Sequence, residues 1–193
     1  MTKTSRCLAL SFLLLSCYSS PADVKIKKAC RMANSPPGRC GWCALETLAR
    51  HHHLKPLYGL SDSNDSRCSA TGLEAALAGT GVTYRVQYAG TENQALLKYA
   101  VQEGLGAVVG FRELYPGAGG HIVTLVDFTE DSVKLIDSND QDRRTRTMSL
   151  DRFLYWWDGF ALVLEPALST PEKVVARAKE EKKPKKVDPG LEE

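Results

Sequence analysis

The chain has 193 residues, 43% of them hydrophobic, and its 25 Lys+Arg against 23 Asp+Glu leave a formal charge of +2. That length suits one ordinary domain with appendages, and the near-balanced charge excludes a broadly basic nucleic-acid binder. With 15 Gly, 9 Pro and 25% charged residues, collagen-like, coiled-coil and wholly disordered chains are excluded as well.

Lys3 and Arg6 lead into the apolar run from Cys7 to Leu15, about nine residues long. It is too short to span a bilayer and has the size of a secretory h-region. The run closes in Leu14-Leu15-Ser16-Cys17, which resembles a bacterial lipobox, where cleavage falls before the Cys and the Cys17 thiol receives lipid. Ordinary signal cleavage after Ser20-Pro21-Ala22 is the second route. Residues 1–22 are therefore expected to be a signal peptide, with the lipobox preferred. The domain is expected outside the cytoplasm, as a membrane-anchored lipoprotein or else secreted or periplasmic, where disulfides form.

One domain is expected over residues 30–165, with no internal repeat. Asn34–Arg39 is rich in turn residues. A helix follows over Cys40–His52, with Leu45, Leu48, Ala49 and His52 at helical spacing, and Gly72–Ala78 forms a second. Val82, Tyr84, Val86 and Tyr88 alternate as a strand does. Asn93–Gln102 is helical, and Ala107–Phe111, His121–Phe128, Val133–Asp137 and Ala161–Leu164 are strands. Ser149 caps a last helix bearing Leu150, Phe153, Leu154 and Trp157, in which Trp156 and Trp157 serve as rim and core. Helices lead and a mostly antiparallel sheet follows, an α+β layout. From Pro166 the sequence mixes charges of both signs with almost no bulky apolar side chains, so residues 166–193 are expected to be a disordered tail.

Cys40-Gly41-Trp42-Cys43 concentrates the chemistry. An ordinary thiol is only a few per cent ionised at neutral pH, and a helix N-terminus with a nearby imidazolium lowers its pKa by several units. Cys40 and Cys43 both stand where an activated thiol belongs, although buried Cys is also a common small core residue. His51, His52 and His53 end the same helix, more than two turns from Cys40, and read as a solvated helix end. His121 remains. It begins a strand behind the Gly-rich stretch Pro116–Gly120, which leaves room for a substrate backbone. A third group should orient the ring. A turn centred on Glu130 pairs residues whose numbers sum to 260, setting His121 opposite Asn139 with Asp137 one diagonal step away on the same face. This pairing nominates both Asp137 and Asn139.

Cys40-Gly41-Trp42-Cys43-Ala44-Leu45, Gly120-His121-Ile122-Val123-Thr124-Leu125-Val126 and Val133-Lys134-Leu135-Ile136-Asp137 together resemble papain-like cysteine peptidases. The nearer likeness is to the bacterial branch that includes the bacteriocin leader (double-glycine) peptidase domains. It spans residues 34–165 and implies a nucleophile helix packed on an antiparallel sheet. It also implies Cys40 as nucleophile, His121 as general base and acid, Asp137 as orienting carboxylate, and Asn34 as the oxyanion donor where the family has Gln. Trp42 stands where the branch has Pro. In the register of papain itself Cys43 becomes the nucleophile, and the oxyanion position falls on Pro37, which has no side-chain donor. Cys40 is preferred for that reason.

The activity implied is peptide-bond hydrolysis, with a peptide or protein as substrate, no cofactor, no metal, no nucleic acid, and a membrane contact only through lipid on Cys17. Three alternatives stand beside it. A thioredoxin-like oxidoreductase could use Cys40-x-x-Cys43, but it needs a hydrophobic strand leading into the motif. A zinc site could draw on Cys40, Cys43, Cys68 and one His of the triplet, without regular spacing. An inactive papain-like module would bind peptide and cut nothing. Cys30 and Cys68 could pair with each other or with Cys43, and spacing leaves the pairing open.

Overall fold

The computed structural model describes residues 23–35, 37–64, 68–112 and 120–166. The signal segment with Cys17, most of the Gly-rich stretch before His121, and the tail beyond residue 166 lie outside the described residues. Among the described residues five α-helices, α1 (Cys40–His51), α2 (Leu60–Ser63), α3 (Ala70–Leu77), α4 (Ala95–Gln102) and α5 (Leu150–Trp156), accompany six strands. These are β1 (Thr83–Tyr88), β2 (Ala107–Phe111), β3 (His121–Phe128), β4 (Ser132–Ile136), β5 (Thr145–Ser149) and β6 (Trp157–Glu165). They form one sheet in the order β1-β6-β2-β3-β4-β5, with every pairing antiparallel.

Alternation along the strands divides the core into two layers. Val108, Ile122, Val126, Leu162 and Leu164 face one way and pack with Leu45, Leu48 and Ala49 of α1. Val109, Val123, Leu125, Ala161 and Val163 face the other way and pack with Leu97 and Val101 of α4 and Phe153 of α5. Phe153 stacks on Trp157 with ring centroids 5.8 Å apart, and the buried Trp157 indole donates to the Phe160 carbonyl at 2.8 Å. The α+β layout read from the sequence is present, and the sheet is wholly antiparallel among the described residues.

The packed unit begins ahead of Cys30. Val24 and Ile26 are core residues, because the Val24 N–H donates to the Val126 carbonyl at 2.9 Å and draws the segment onto β3. That carbonyl belongs to a bulge: Leu125 pairs with Leu135 but Asp127 pairs with Lys134, so Val126 is the extra residue. The hairpin turn centres between Glu130 and Asp131, half a residue later than expected, and the bulge restores the expected register at Leu125 and Thr124. Two elements escaped the sequence reading. β5 (Thr-Arg-Thr-Met-Ser) is a largely exposed edge strand without apolar alternation, held by its backbone pairing to β4. α2 is a single turn of four residues.

Candidate active site

α1 opens at Cys40 behind a short turn. The Arg39 N–H donates to Asn34 Oδ1 at 2.8 Å, and the Arg39 carbonyl accepts the Cys43 N–H at 2.9 Å. The helix is fixed from below by Glu46, which is fully buried. Its carboxylate accepts from the backbone N–H groups of Gly59 and Ser61, from the Ser61 hydroxyl and from Arg50. Arg39 donates from Nη1 to the Ser61 carbonyl at 3.1 Å, so the residue just before Cys40 is tied to the loop that Glu46 holds. Burial would raise the Glu46 pKa, but these donors outweigh it and hold the carboxyl below its ordinary range.

His121 enters at the first residue of β3, paired with Phe111 of β2. Its Nε2 donates to Asp137 Oδ1 at 2.9 Å. The ring also hydrogen-bonds the Cys40 side chain. Burial alone would lower the His121 pKa; the bonds and charges of Asp137 and Cys40 overcome it and raise the group to about 9. Burial alone would raise the Cys40 pKa, yet the bond to His121 and a backbone contact at Ile122 leave it below the ordinary value. The Asp137 carboxyl, also partly desolvated, is held low by His121 and by the Asn139 N–H, which donates at 2.8 Å. Each shift favours the pair Cys40 thiolate and His121 imidazolium with a carboxylate behind it.

Cys43 behaves differently. Burial, then the neighbouring Cys40 and Glu46, push its thiol up to about 12, and its Sγ contacts the Ala33 carbonyl at 3.4 Å. Of the two candidate sulfurs, the one hydrogen-bonded to His121 is Cys40. Asn139, the second candidate for orienting the ring, is engaged elsewhere: its Oδ1 accepts from Asn34 Nδ2 at 2.5 Å. Asn34 is further pinned by its own N–H, which donates to the Ser138 carbonyl at 2.9 Å. The segment after β4 thus supplies the carboxylate for His121 and the support for Asn34 together. Only the fold brings Asn34 to Asn139, and no local pattern announces it.

The histidine triplet departs from expectation. His51 is partly desolvated, and burial followed by its histidine neighbours lowers its pKa to about 4. The His52 Nε2 lies 2.7 Å from the Leu105 carbonyl. His53 alone is exposed, at a positive φ of 59°. Cys30, Cys40, Cys43 and Cys68 are all free thiols, so none of the pairings open to Cys30, Cys43 and Cys68 is present. Among the described residues no three His, Cys, Asp or Glu side chains converge as a metal site, and no strand leads into Cys40 as the oxidoreductase alternative requires. No helix among them is long and apolar enough to cross a membrane. Beside Asp137 a cavity of about 380 Å³ opens between Phe111, Val123, Leu135, Arg146 and Met148.

No family model and no curated protein matches the sequence. Two solved structures superpose on most of the chain. One is a double glycine motif protease from an AMS/PCAT transporter, in complex with the leader peptide. It matches with a TM-score of 0.55 and 14% identity over 75% of this chain and 94% of that one. This is the fold of the double-glycine peptidase domains. The second is the peptidase domain of Streptococcus ComA, a bifunctional ABC transporter involved in quorum sensing. It matches with a TM-score of 0.54 and 22% identity over 70% of this chain and 97% of that one. Both are papain-like cysteine peptidase domains, so the packing of a helix on a wholly antiparallel sheet has solved counterparts.

Proposed function

We propose that this protein is a cysteine peptidase acting on peptide substrates through Cys40, His121 and Asp137. The observation that carries the reading is the His121 ring bonded to the Cys40 thiol on one side and the Asp137 carboxylate on the other. The thiolate attacks a peptide carbonyl. The resulting oxyanion is met by the Cys40 backbone N–H and the second Nδ2 hydrogen of Asn34. His121 protonates the leaving amine, then takes a proton from the water that releases the acyl group. The cavity beside Asp137, apolar on the sheet side with Arg146 at its edge, offers a place for a substrate side chain. A neighbour of the same fold is a double glycine motif protease solved with a leader peptide, which supports leader-like peptides carrying a double glycine motif as first substrates. Turnover of a leader-like peptide library, with Cys40→Ser as control, tests this; equal turnover by both proteins would end it.

A second reading has its own observation. The Asn34 amide is already bonded at both ends, to Asn139 and to the Arg39 N–H, which supports a weak oxyanion hole and a module that binds peptide without cutting. Peptide affinity without turnover identifies this case. For location we propose export and lipid attachment at Cys17, on the strength of the basic start, the apolar run and Leu14-Leu15-Ser16-Cys17. Mass spectrometry of the mature N-terminus separates that from cleavage after Ala22 or no cleavage.

A further inference from the structure

We infer that Cys68 is a resolving thiol for Cys40, and that the two form a reversible disulfide when a peroxide oxidises the nucleophile. This role rests on the peptidase reading of Cys40 as an ionised thiol and then on packing. Gly41, directly after Cys40, has no room for a side chain: a Cβ there would stand 2.7 Å from Cys68 Sγ and 2.9 Å from Cys68 Cβ. The Cys68 sulfur is therefore seated on the first turn of α1. Cys68 also packs against the cluster that contains Cys40, and it remains partly exposed. Its thiol is pushed up to about 12 by burial, then by the sulfurs of Cys40 and Cys43, which places three sulfurs in one electrostatic neighbourhood. Cys43 is the competing partner; its Sγ meets the Ala33 carbonyl as that of Cys68 meets the Ser69 carbonyl, but Cys43 is fully buried inside α1 while Cys68 is partly exposed.

The chemistry balances with hydrogen peroxide as the oxidant. The Cys40 thiolate displaces hydroxide from the peroxide and becomes a sulfenic acid once the departing oxygen takes up a proton as water. The Cys68 sulfur then attacks the Cys40 sulfur. The S–O bond breaks, the S–S bond forms, and the hydroxide leaves as water with the Cys68 proton. Conversion of Cys40 to a neutral sulfenic acid also removes the negative charge that helps keep Cys68 protonated. A dithiol reductant reverses the step.

The test uses the whole chain and needs no substrate. Reduced protein is first labelled with limiting iodoacetamide at pH 6; Cys40 must label ahead of Cys68, and failure here refutes both the peptidase reading and this inference. A second sample is exposed to hydrogen peroxide and digested with trypsin without reduction. Peptides 40–50 and 68–85 are expected to appear linked through Cys40 and Cys68, lighter by two hydrogens, in the wild-type protein and in Cys43→Ser. Dithiothreitol should then restore Cys40 labelling in full. In Cys68→Ser, Cys40 is expected to pass to the sulfinic acid, and dithiothreitol should restore nothing. A Cys40–Cys43 link, or an oxidised Cys40 beside a free Cys68 in the wild type, overturns the inference while leaving the peptidase reading intact.

Discussion

His121 Nε2 meets Asp137 Oδ1 at 2.9 Å because β3 carries one residue more than β4 opposite it. Near the turn Phe128 pairs with Val133 and Asp127 with Lys134; past Val126 the pairs become Leu125 with Leu135 and Thr124 with Ile136. Continued without the bulge, the first register would put Asp137 on the face of Thr124 and not on that of His121, since one residue of slip reverses every side chain. The bulge returns both groups to one face, and the Val24 N–H takes up the carbonyl it leaves free.

The carboxylate behind the ring should set the charge of the ring. In Asp137→Asn the His121 pKa is expected to fall from about 9 toward the ordinary histidine range. Cys40 then loses its cationic partner at neutral pH. Iodoacetamide labelling of Cys40 at pH 7.5, above the ordinary histidine value, should slow by about tenfold as the thiol returns toward its ordinary ionisation, with the His121 titration followed by NMR. An unchanged His121 titration would show that the carboxylate has no hold on the ring.

The pH profile carries a sign that separates the two ionisations. Activity needs Cys40 deprotonated, which occurs below the ordinary thiol value, and His121 protonated, which is lost as pH rises through about 9. Peptide turnover should therefore climb on the acid side and decline above about 9. Cys40 alkylation needs only the thiolate and should not decline there. Parallel profiles of kcat/KM and labelling rate check this, and turnover that holds above about pH 9 would remove His121 as the proton donor.

Asn34 and Asn139 should act as a unit. Asn34→Ala is expected to reduce kcat by about a hundredfold, the scale of one lost oxyanion donor. Asn139→Ala should lower kcat by a smaller factor with KM little changed. The double variant should fall no further than Asn34→Ala alone, because the second substitution then removes support for a side chain already gone. Additive losses would place Asn139 in some other role.

Glu46→Ala leaves the donors of Gly59, Ser61 and Arg50 without their acceptor beneath α1. Removing one side of such a buried charged network is expected to destabilise the protein by about 3 kcal/mol. Urea unfolding measures it. Glu46→Gln keeps the shape and part of the bonding and should lose less.

Gly159 offers a purely structural test. Its φ is +93°, and an added Cβ would fall 1.7 Å from the Ala89 carbonyl oxygen, a backbone atom that cannot swing aside. Gly159→Ala is expected to lose about 3 kcal/mol or more, read as a lower urea midpoint, with Gly72→Ala as a helical control.

Much of this was legible in the sequence where a pattern repeats. The alternation from Val82 to Tyr88 and the apolar runs Ala107–Phe111 and His121–Phe128 mark strands that the fold retains. The cysteine at a helix start and the single separate histidine mark the ends of the reactive pair. The choice between Asp137 and Asn139 was not legible, because both follow the same strand and only side-chain reach tells them apart. Nor could β5 be read: its Arg and Thr side chains face solvent, so nothing in its composition reports the backbone ladder that makes it a strand. The solvated reading of the triplet fits His53 alone: His52 reaches the Leu105 carbonyl, more than fifty residues away, and His51 is half-buried.

Asp23 forms an ion pair with Lys134 at 2.9 Å, at the hairpin end of β3. Six residues of strand, about 20 Å, separate that end from His121. Cargo fastened at Asp23 itself, a fluorophore or an affinity handle, would start about 20 Å from the mouth at His121. Immobilising the protein by that side should leave the mouth open to the surrounding liquid.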